Sequence, residues 1–169
     1  GRAGALPEIW SYGHRNMQGL AIDPDSGDLW VTEHGPQGGD ELNLVRPGRN
    51  YGWPVIGYGV QYGGTRFHLG TERDGLEQPL QHWTPSIAPS GLMIYTGDRF
   101  PEWRGHLFAG GLDGRLIARL AVERGEEGHQ VERLERPGLI PGLGRVRDVR
   151  EGPDGYIYVA IDDRRGGGP

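Results

Sequence analysis

The chain has 169 residues, of which 32 are Gly and 13 are Pro, and its formal net charge is −5. Gly or Pro interrupts almost every window of a dozen residues, which excludes long helices. The five Trp, seven Tyr and three Phe exclude a solvated low-complexity tail, because such tails carry few aromatic residues. The composition therefore predicts an all-β, turn-rich chain.

The residue types that the sequence lacks narrow its chemistry. There is no Cys, so disulfides, thiolate metal sites and cysteine nucleophiles are excluded. All basic residues are Arg, which leaves no Schiff-base lysine, and the negative net charge argues against a nucleic-acid groove. No apolar stretch approaches the ~20 residues of a membrane span, and the chain opens without the pattern of a signal peptide.

Short runs of β-branched and aromatic residues, bounded by turn residues, predict a series of strands. Three hairpins are expected, over residues 19–31, 91–120 and 148–159. The first and last contain a Pro-Asp turn, in which Pro presets φ and the following residues make the reversal. The stretch 57–81 is rich in Gly with weak strand signals, which is typical of a functional loop.

Hairpins that recur every few tens of residues are typical of a β-propeller, whose four-stranded blades have about 40 to 50 residues each. At that period the chain holds about three to four blades, too few to close a ring. We therefore expect residues 1–169 to be part of a larger propeller. A β-sandwich with hairpin connections is the alternative.

Five sequence motifs are more specific than the composition. They are His14–Leu20, Glu33–Asn43, Asn50–Pro54, Trp83–Gly91 and Gly144–Val149. In order and spacing they resemble the soluble quinoprotein glucose and sorbosone dehydrogenases, which are six-bladed propellers that bind pyrroloquinoline quinone and Ca²⁺. The resemblance covers the C-terminal half of such an enzyme and implies that the N-terminal blades of the single propeller domain lie outside this chain.

Two pairs of residues are implied to bind the cofactor. Arg15 and Asn16 would contact it near its reactive carbonyl, where a cation and an amide suit an oxygen that gains negative charge. Arg145 and Arg147 are two residues apart, so in a strand both would project from one face, and the resemblance has them bind cofactor carboxylates. The alternatives are a solvent-facing Arg15 with a turn Asn16, and neutralisation of one later arginine by Asp148.

Three more residues are candidates for cofactor contact. Tyr62 either lays its ring on the planar cofactor or packs within a blade. Where several relatives have a Lys in a later loop, this chain has Asp113 and Arg115. Arg115 is preferred as the replacement cation, because a carboxylate at Asp113 would repel a cofactor carboxylate, but the backbone around Asp113 stays a possible contact. Trp53, next to Pro54, is assigned to the core.

The metal-ligand expectations rest on the resemblance. Gly35 and Pro36 lie in a Gly-rich loop whose backbone carbonyls are hard ligands suited to Ca²⁺, and they are implied to hold the catalytic calcium. Glu41 and Tyr51 are implied to bind a second, structural calcium. The alternative for Glu41, together with Asp40, is a solvated turn or a cap. The six His have no ligand spacing, which argues against a histidine metal cluster.

The resemblance implies an aldose dehydrogenase, which oxidises a sugar at C1 to a lactone by hydride transfer to the quinone while Ca²⁺ polarises it. An external electron acceptor and a periplasmic or secreted location follow from the family. Its general base is a His in the N-terminal half, so we expect no catalytic residue in this chain and no activity from it alone. A calcium-dependent propeller lactonase, and a propeller that binds sugar or protein without catalysis, are the alternatives.

Overall fold

The computed structural model describes residues 4–65, 68–126, 128–136 and 138–162. Within these ranges the chain forms antiparallel strands and one short 3₁₀ helix, Pro101–Trp103, which confirms the predicted all-β class. The strands are β1 (Met17–Ile22), β2 (Leu29–Glu33), β3 (Asp40–Val45), β4 (Gln81–Trp83), β5 (Pro89–Ile94), β6 (Leu107–Gly111), β7 (Leu116–Gly125), β8 (Gly128–Arg133), β9 (Arg145–Glu151) and β10 (Ile157–Asp162).

The chain divides into two compact units, Gly1–Ser86 and Ile87–Pro169. The first unit holds a four-stranded antiparallel sheet in the order β1-β2-β3-β4. The turn between β1 and β2 is fixed by Asp23, whose carboxylate accepts hydrogen bonds from the backbone N–H groups of Asp25 at 2.9 Å and Ser26 at 3.4 Å. A buried Asp at this point closes the reversal without help from the rest of the chain.

The inner strands of this sheet are buried almost completely. Trp30 on β2 and Leu42 on β3 are fully excluded from solvent, and Val31 packs with Val45 and Tyr51. Burial of these apolar side chains is the main stabilising contribution to the unit. The packing fixes the end of β2 and the start of β3, where the polar residues described below lie.

The second unit contains a four-stranded sheet in the order β5-β6-β7-β8 and a two-stranded sheet of β9 and β10. Strand β9 packs against β5 and β6. The shared core includes Tyr95, Phe108, Ile117, Val146 and Val149. The Tyr95 hydroxyl donates to the Gly155 carbonyl at 2.8 Å, so its buried polar atom is satisfied.

The three predicted hairpins are confirmed, whereas β3, β4 and β8 were not predicted. Among the described residues, the blade pattern consists of two complete four-stranded sheets and one two-stranded sheet. The described part of residues 57–81 forms no strand before β4, as expected for a loop. No helix in the described ranges is long and apolar enough to cross a membrane.

Candidate functional site

A cavity of about 20 Å³ lies in the first unit, where β2 ends and β3 begins. A water molecule needs roughly 10–15 Å³ of such space, so the cavity has room for one water or one small ion and not for a tricyclic quinone. Five predicted site residues line it together: Arg15, Gly35, Pro36, Glu41 and Tyr51.

Arg15 is half-buried, and its side chain is fixed by backbone and aromatic contacts. Its Nη1 donates to the carbonyl oxygens of His34 at 2.9 Å and Gly35 at 3.1 Å. The guanidinium also lies over the Trp53 ring, 5.3 Å from the ring centroid, a cation–π contact. Trp53 is only half-buried and lines the cavity, so its assignment to the core is wrong.

The carboxylate of Glu33, the last residue of β2, is at the centre of a buried hydrogen-bond network. Its Oε2 accepts from the backbone N–H of Arg15 at 2.8 Å. Its Oε1 accepts from Nδ2 of Asn43 at 2.9 Å and lies 3.0 Å from Nδ1 of His14. Nε2 of His14 is 2.9 Å from Oγ of Ser11. The Ser-His-Glu order is that of a hydrolytic triad, but Ser11 does not line the cavity.

Sequence reasoning did not single out Glu33, His14 or Asn43 as site residues, although each lies within a motif of the resemblance. The available signal was an acidic residue at the end of an otherwise apolar strand. Such a residue is rarely buried without hydrogen-bond partners. Its partners come from segments distant in sequence, so spacing alone did not reveal them.

Glu41 is joined to the same network through Asn43, whose Nδ2 also donates to Oε2 of Glu41 at 3.1 Å. Burial, and then the charges of Glu33 and Asp40, raise the pKa of Glu41 to about 7, while the Asn43 hydrogen bond opposes the shift. The Oδ1 atom of Asn43 is buried and has no hydrogen-bond partner among the described residues. In this network the acceptor oxygen atoms therefore outnumber the hydrogen-bond donors.

Asp40 shapes the loop that leads into the cavity. It is fully buried at the start of β3 and accepts from the Gly35 N–H at 3.0 Å and from the Ser86 hydroxyl at 2.5 Å. Because Asp40 and Glu41 both belong to a strand, their interpretation as a solvated turn or cap is wrong. Gly39, at φ 69°, is needed next to them, since a Cβ there would lie 2.3 Å from the Gly59 nitrogen.

Some of the predicted metal ligands are free to bind a cation, and others already have hydrogen-bond partners. In the described residues no group of three or more His, Asp or Glu side chains forms a complete metal site, so backbone or amide oxygens would have to contribute. The Gly35 carbonyl already accepts from Arg15. The Tyr51 hydroxyl donates to the Leu44 carbonyl at 2.7 Å, which leaves the backbone carbonyl of Tyr51 as its candidate ligand.

Electrostatics favour a cation in the cavity. Three carboxylates, those of Glu33, Asp40 and Glu41, lie close to one another, and Arg15 lines the same cavity as Glu33 and Glu41. If all were ionised, two negative charges would stay unbalanced. A divalent cation with hard oxygen ligands would balance them, and the carboxylates of Glu33 and Glu41 belong to residues that line the cavity, whereas Asp40 and Asn43 do not line it.

Asn16 and Tyr62 do not line the cavity. Asn16 is exposed, and its Oδ1 accepts from Nε2 of Gln18 at 2.9 Å. The Tyr62 side chain is 76% exposed, so its packing within a blade, the alternative interpretation, is wrong. Both side chains are accessible to a ligand.

Arg145 and Arg147 both belong to β9 in the second unit. The register of β9 against β10 skips Arg147, so a β-bulge interrupts the two-residue alternation that predicted a shared face. Arg147 pairs with Asp162 at 2.7 Å. Asp148, which the alternative interpretation had neutralise one of these arginines, contacts Arg150 at 3.2 Å.

Asp113 and Arg115 lie in the turn between β6 and β7, and both are exposed. The Asp113 N–H donates to the Ile87 carbonyl at 3.1 Å, and Arg115 has φ of 48°, in the left-handed region. Neither side chain is held in the fold by an ion pair among the described residues. The choice between them as the cofactor contact stays a prediction.

A comparison with protein families shows which family the chain belongs to. The profile described as Glucose / Sorbosone dehydrogenase matches residues 1–167. The chain belongs to this family. The resemblance seen in the five motifs is thereby confirmed.

Individual members of the glucose/sorbosone dehydrogenase family support this result. The aldose sugar dehydrogenase YliI of Escherichia coli (strain K12) is 44% identical over 167 residues, which cover 97% of this chain and 43% of that protein. A crystal structure of a glucose dehydrogenase has a TM-score of 0.85 at 49% identity, over 97% of this chain and 46% of that one.

A more distant structural neighbour contains bound PQQ. The PQQ-bound form of an aldose sugar dehydrogenase from Streptomyces coelicolor has a TM-score of 0.67 at 28% identity, over 100% of this chain and 45% of that one. These likenesses confirm that the fold is part of a β-propeller. The chain spans less than half the length of the curated relatives it matches.

Proposed function

We propose that this chain is the cofactor-anchoring part of an aldose sugar dehydrogenase that uses pyrroloquinoline quinone and Ca²⁺. The observation that carries the proposal is the placement of Arg15 beside an ion-sized cavity that the four predicted metal-binding residues also line. Family membership and the PQQ-bound structural neighbour support it. The activity is proposed for the whole protein, because this chain spans less than half the length of its relatives.

Arg15 is suited to bind an anionic oxygen. Its guanidinium is held by two neutral carbonyls and one aromatic ring, and it makes no ion pair among the described residues, so its positive charge is not neutralised by a direct partner. A preorganised cation of this kind stabilises negative charge at little reorganisation cost. Because the cavity is too small for the quinone, the cofactor would bind outside it, against Arg15 and the exposed Asn16.

The bound quinone would supply the hydride acceptor for oxidation of the sugar C1 to the lactone level. Arg145 and Arg147 would bind its carboxylates, for which the planar guanidinium fork is well matched. Tyr62 and either Arg115 or the backbone at Asp113 are proposed as further contacts. All except Arg145, which is half-buried, are exposed in the structure.

The cavity is proposed to hold one Ca²⁺. Its size is that of a single ion, and its walls contain the Glu41 carboxylate together with Gly35, Pro36 and Tyr51. The raised pKa of Glu41 supports this proposal, because its causes are burial of the carboxylate and then the neighbouring charges of Glu33 and Asp40. A bound cation would favour the ionised carboxylate.

The proton acceptor for the sugar hydroxyl is proposed to lie outside this chain. His14 has its ring nitrogens within hydrogen-bond distance of Ser11 and Glu33 and does not line the cavity, so it is not placed within reach of a sugar hydroxyl. The sugar, an external electron acceptor and a periplasmic or secreted location are carried over from the family as part of the proposal. Oxidation of glucose by this chain and added quinone at enzymatic rates would contradict the placement of the base.

The proposal is tested by titrating the chain with pyrroloquinoline quinone, with and without Ca²⁺, and following the absorption of the quinone. Saturable binding that a chelator abolishes is expected. Arg15→Ala should raise the Kd at least about tenfold. Arg49→Ala, an exposed arginine of the same unit, is the control and should leave the Kd unchanged. Equal effects of the two substitutions, or no binding by the wild type, would contradict the proposal.

A further inference from the structure

The backbone of Arg15 is anchored as firmly as its side chain. The Arg15 N–H donates to Oε2 of Glu33 at 2.8 Å, while its guanidinium donates to the carbonyls of His34 and Gly35. Both ends of the residue are therefore bound to three consecutive residues, 33–35. This arrangement leaves the side chain little freedom to choose another rotamer.

Glu33 is well placed to hold this arrangement. It is 4% exposed, and its carboxylate receives hydrogen bonds from the segment before β1, through Arg15 and His14, and from β3, through Asn43. No arginine side chain pairs with it among the described residues. The carboxylate is held by the backbone N–H of Arg15, the Asn43 amide and the imidazole of His14, and hydrogen bonds to an ionised carboxylate are stronger than neutral ones.

The positive charge of Arg15 remains available to an anionic ligand. The negative carboxylate binds the Arg15 backbone, and only neutral carbonyls bind the guanidinium. A carboxylate on the guanidinium would fix it equally well but would compete with an anionic ligand. Glu33 therefore positions Arg15 without neutralising the charge of its guanidinium.

We infer that Glu33 is a positioning residue that holds Arg15 in place for the quinone, with His14 and Asn43 fixing the Glu33 carboxylate. The inference rests on the proposed function, in which Arg15 contacts the cofactor. Loss of the carboxylate should weaken quinone binding through Arg15, because the cation would no longer be preorganised.

Glu33→Gln is the principal test, with binding of pyrroloquinoline quinone in Ca²⁺ followed by absorption. Glutamine keeps the shape, but its NH₂ group accepts no hydrogen bond, so the network loses one acceptor. The Kd is expected to rise about tenfold or more. Asp23→Asn is the matched control: it removes another buried carboxylate of the same unit outside this network, and should leave the Kd within about threefold while the protein stays folded.

A double mutant separates positioning from general destabilisation. If Glu33 acts through Arg15, then Arg15→Ala combined with Glu33→Gln should bind no more weakly than Arg15→Ala alone. Additive losses would overturn the inference. So would a folded Glu33→Gln variant that binds like the wild type while Arg15→Ala does not.

Failure of the proposed function has a different signature, because Arg15→Ala would then bind like the wild type. If Glu33→Gln does not fold, His14→Phe takes its place. Phenylalanine keeps a ring against Tyr51 but removes the contact of Nδ1 with Glu33. The Kd should rise about threefold or more, and an unchanged Kd in the folded variant would overturn the inference.

Discussion

The imidazole of His14 stacks on the phenol ring of Tyr51, with ring centroids 4.5 Å apart and an angle of 18° between the planes. The Tyr51 hydroxyl donates to the Leu44 carbonyl at 2.7 Å and accepts from the Arg46 N–H at 2.9 Å. Tyr51 thus joins the end of β3 to the buried network around Glu33. Its position depends on both the ring and the hydroxyl.

Tyr51→Phe should lower the free energy of unfolding by about 1–2 kcal/mol. The substitution keeps the ring but leaves the partly buried Arg46 N–H and Leu44 carbonyl without their hydrogen-bond partner, and a loss of this kind typically costs that much. Urea unfolding followed by tryptophan fluorescence measures it. Tyr62→Phe is the control, because the Tyr62 side chain is 76% exposed and should change the value by less than about 0.5 kcal/mol. Equal effects would show that the Tyr51 hydroxyl contributes nothing.

Glu41 should make the metal-free protein less stable as the pH rises. Its pKa is raised from 4.5 to about 7 in the folded chain, so between these values the folded state binds more protons than the unfolded state. Stability is then greatest below about pH 4.5 with respect to this group, and it falls as the pH rises towards and through 7. Burial is the largest cause of the raised pKa, the charges of Glu33 and Asp40 add to it, and the Asn43 hydrogen bond opposes it.

The measurement is urea unfolding at several pH values between 4.5 and 8 in the presence of a chelator. Glu41→Gln should flatten the profile, because the amide does not titrate, and should be more stable than the wild type at pH 8. The shift corresponds to ~3 kcal/mol, an upper figure for the difference. A variant with the same pH slope as the wild type would contradict the assignment to Glu41.

Addition of Ca²⁺ at pH 8 should stabilise the wild-type chain and remove most of this pH dependence. A ligand at 100 times its Kd stabilises the folded state by about 2.7 kcal/mol, which is readily seen as a rise in Tm. Glu41→Gln should lose most of the rise, because the cavity then lacks its carboxylate. Mg²⁺ is the matched control ion, since it demands a tighter octahedral site and keeps its waters. Equal shifts in wild type and variant would place the ion elsewhere.

The hairpins could be predicted because their turns are local. Asp23 and its neighbours close the β1–β2 turn with bonds over two or three residues, and those residues are adjacent in the sequence. Strand β3 could not be predicted in the same way. Its buried polar residues Asp40 and Asn43 break the apolar alternation that identifies a strand, and their partners lie on other segments.

The sequence predicted which residues form the site better than it predicted how they are arranged. The motifs identified the residues that line the cavity, but not that Glu33 anchors Arg15, since that contact spans 18 residues. A two-residue alternation likewise does not reveal a β-bulge, so the orientation of Arg147 relative to Arg145 could not be derived from the sequence. Trp53 was misassigned because aromatic residues are usually counted as core.

The two arginines of β9 should contribute unequally to quinone binding. Arg147 pairs with Asp162 at 2.7 Å, whereas Arg145 has no ion pair among the described residues, so a cofactor carboxylate would have to displace Asp162 from Arg147 only. Arg145→Ala should therefore raise the Kd for pyrroloquinoline quinone more than Arg147→Ala does. Asp162→Asn should lower the Kd a few-fold, because it releases Arg147 from its competitor and removes a negative charge.

Absorption titrations at two salt concentrations measure these changes. The control is Arg150→Ala: Arg150 belongs to the same strand, contacts Asp148 and donates to the Leu92 carbonyl at 2.9 Å. Its loss removes the same charge from β9 without removing a proposed cofactor contact. If Arg150→Ala raised the Kd as much as Arg145→Ala, the effect would be that of net charge alone, screened equally by salt, and the proposed contacts of Arg145 and Arg147 with the cofactor carboxylates would be wrong.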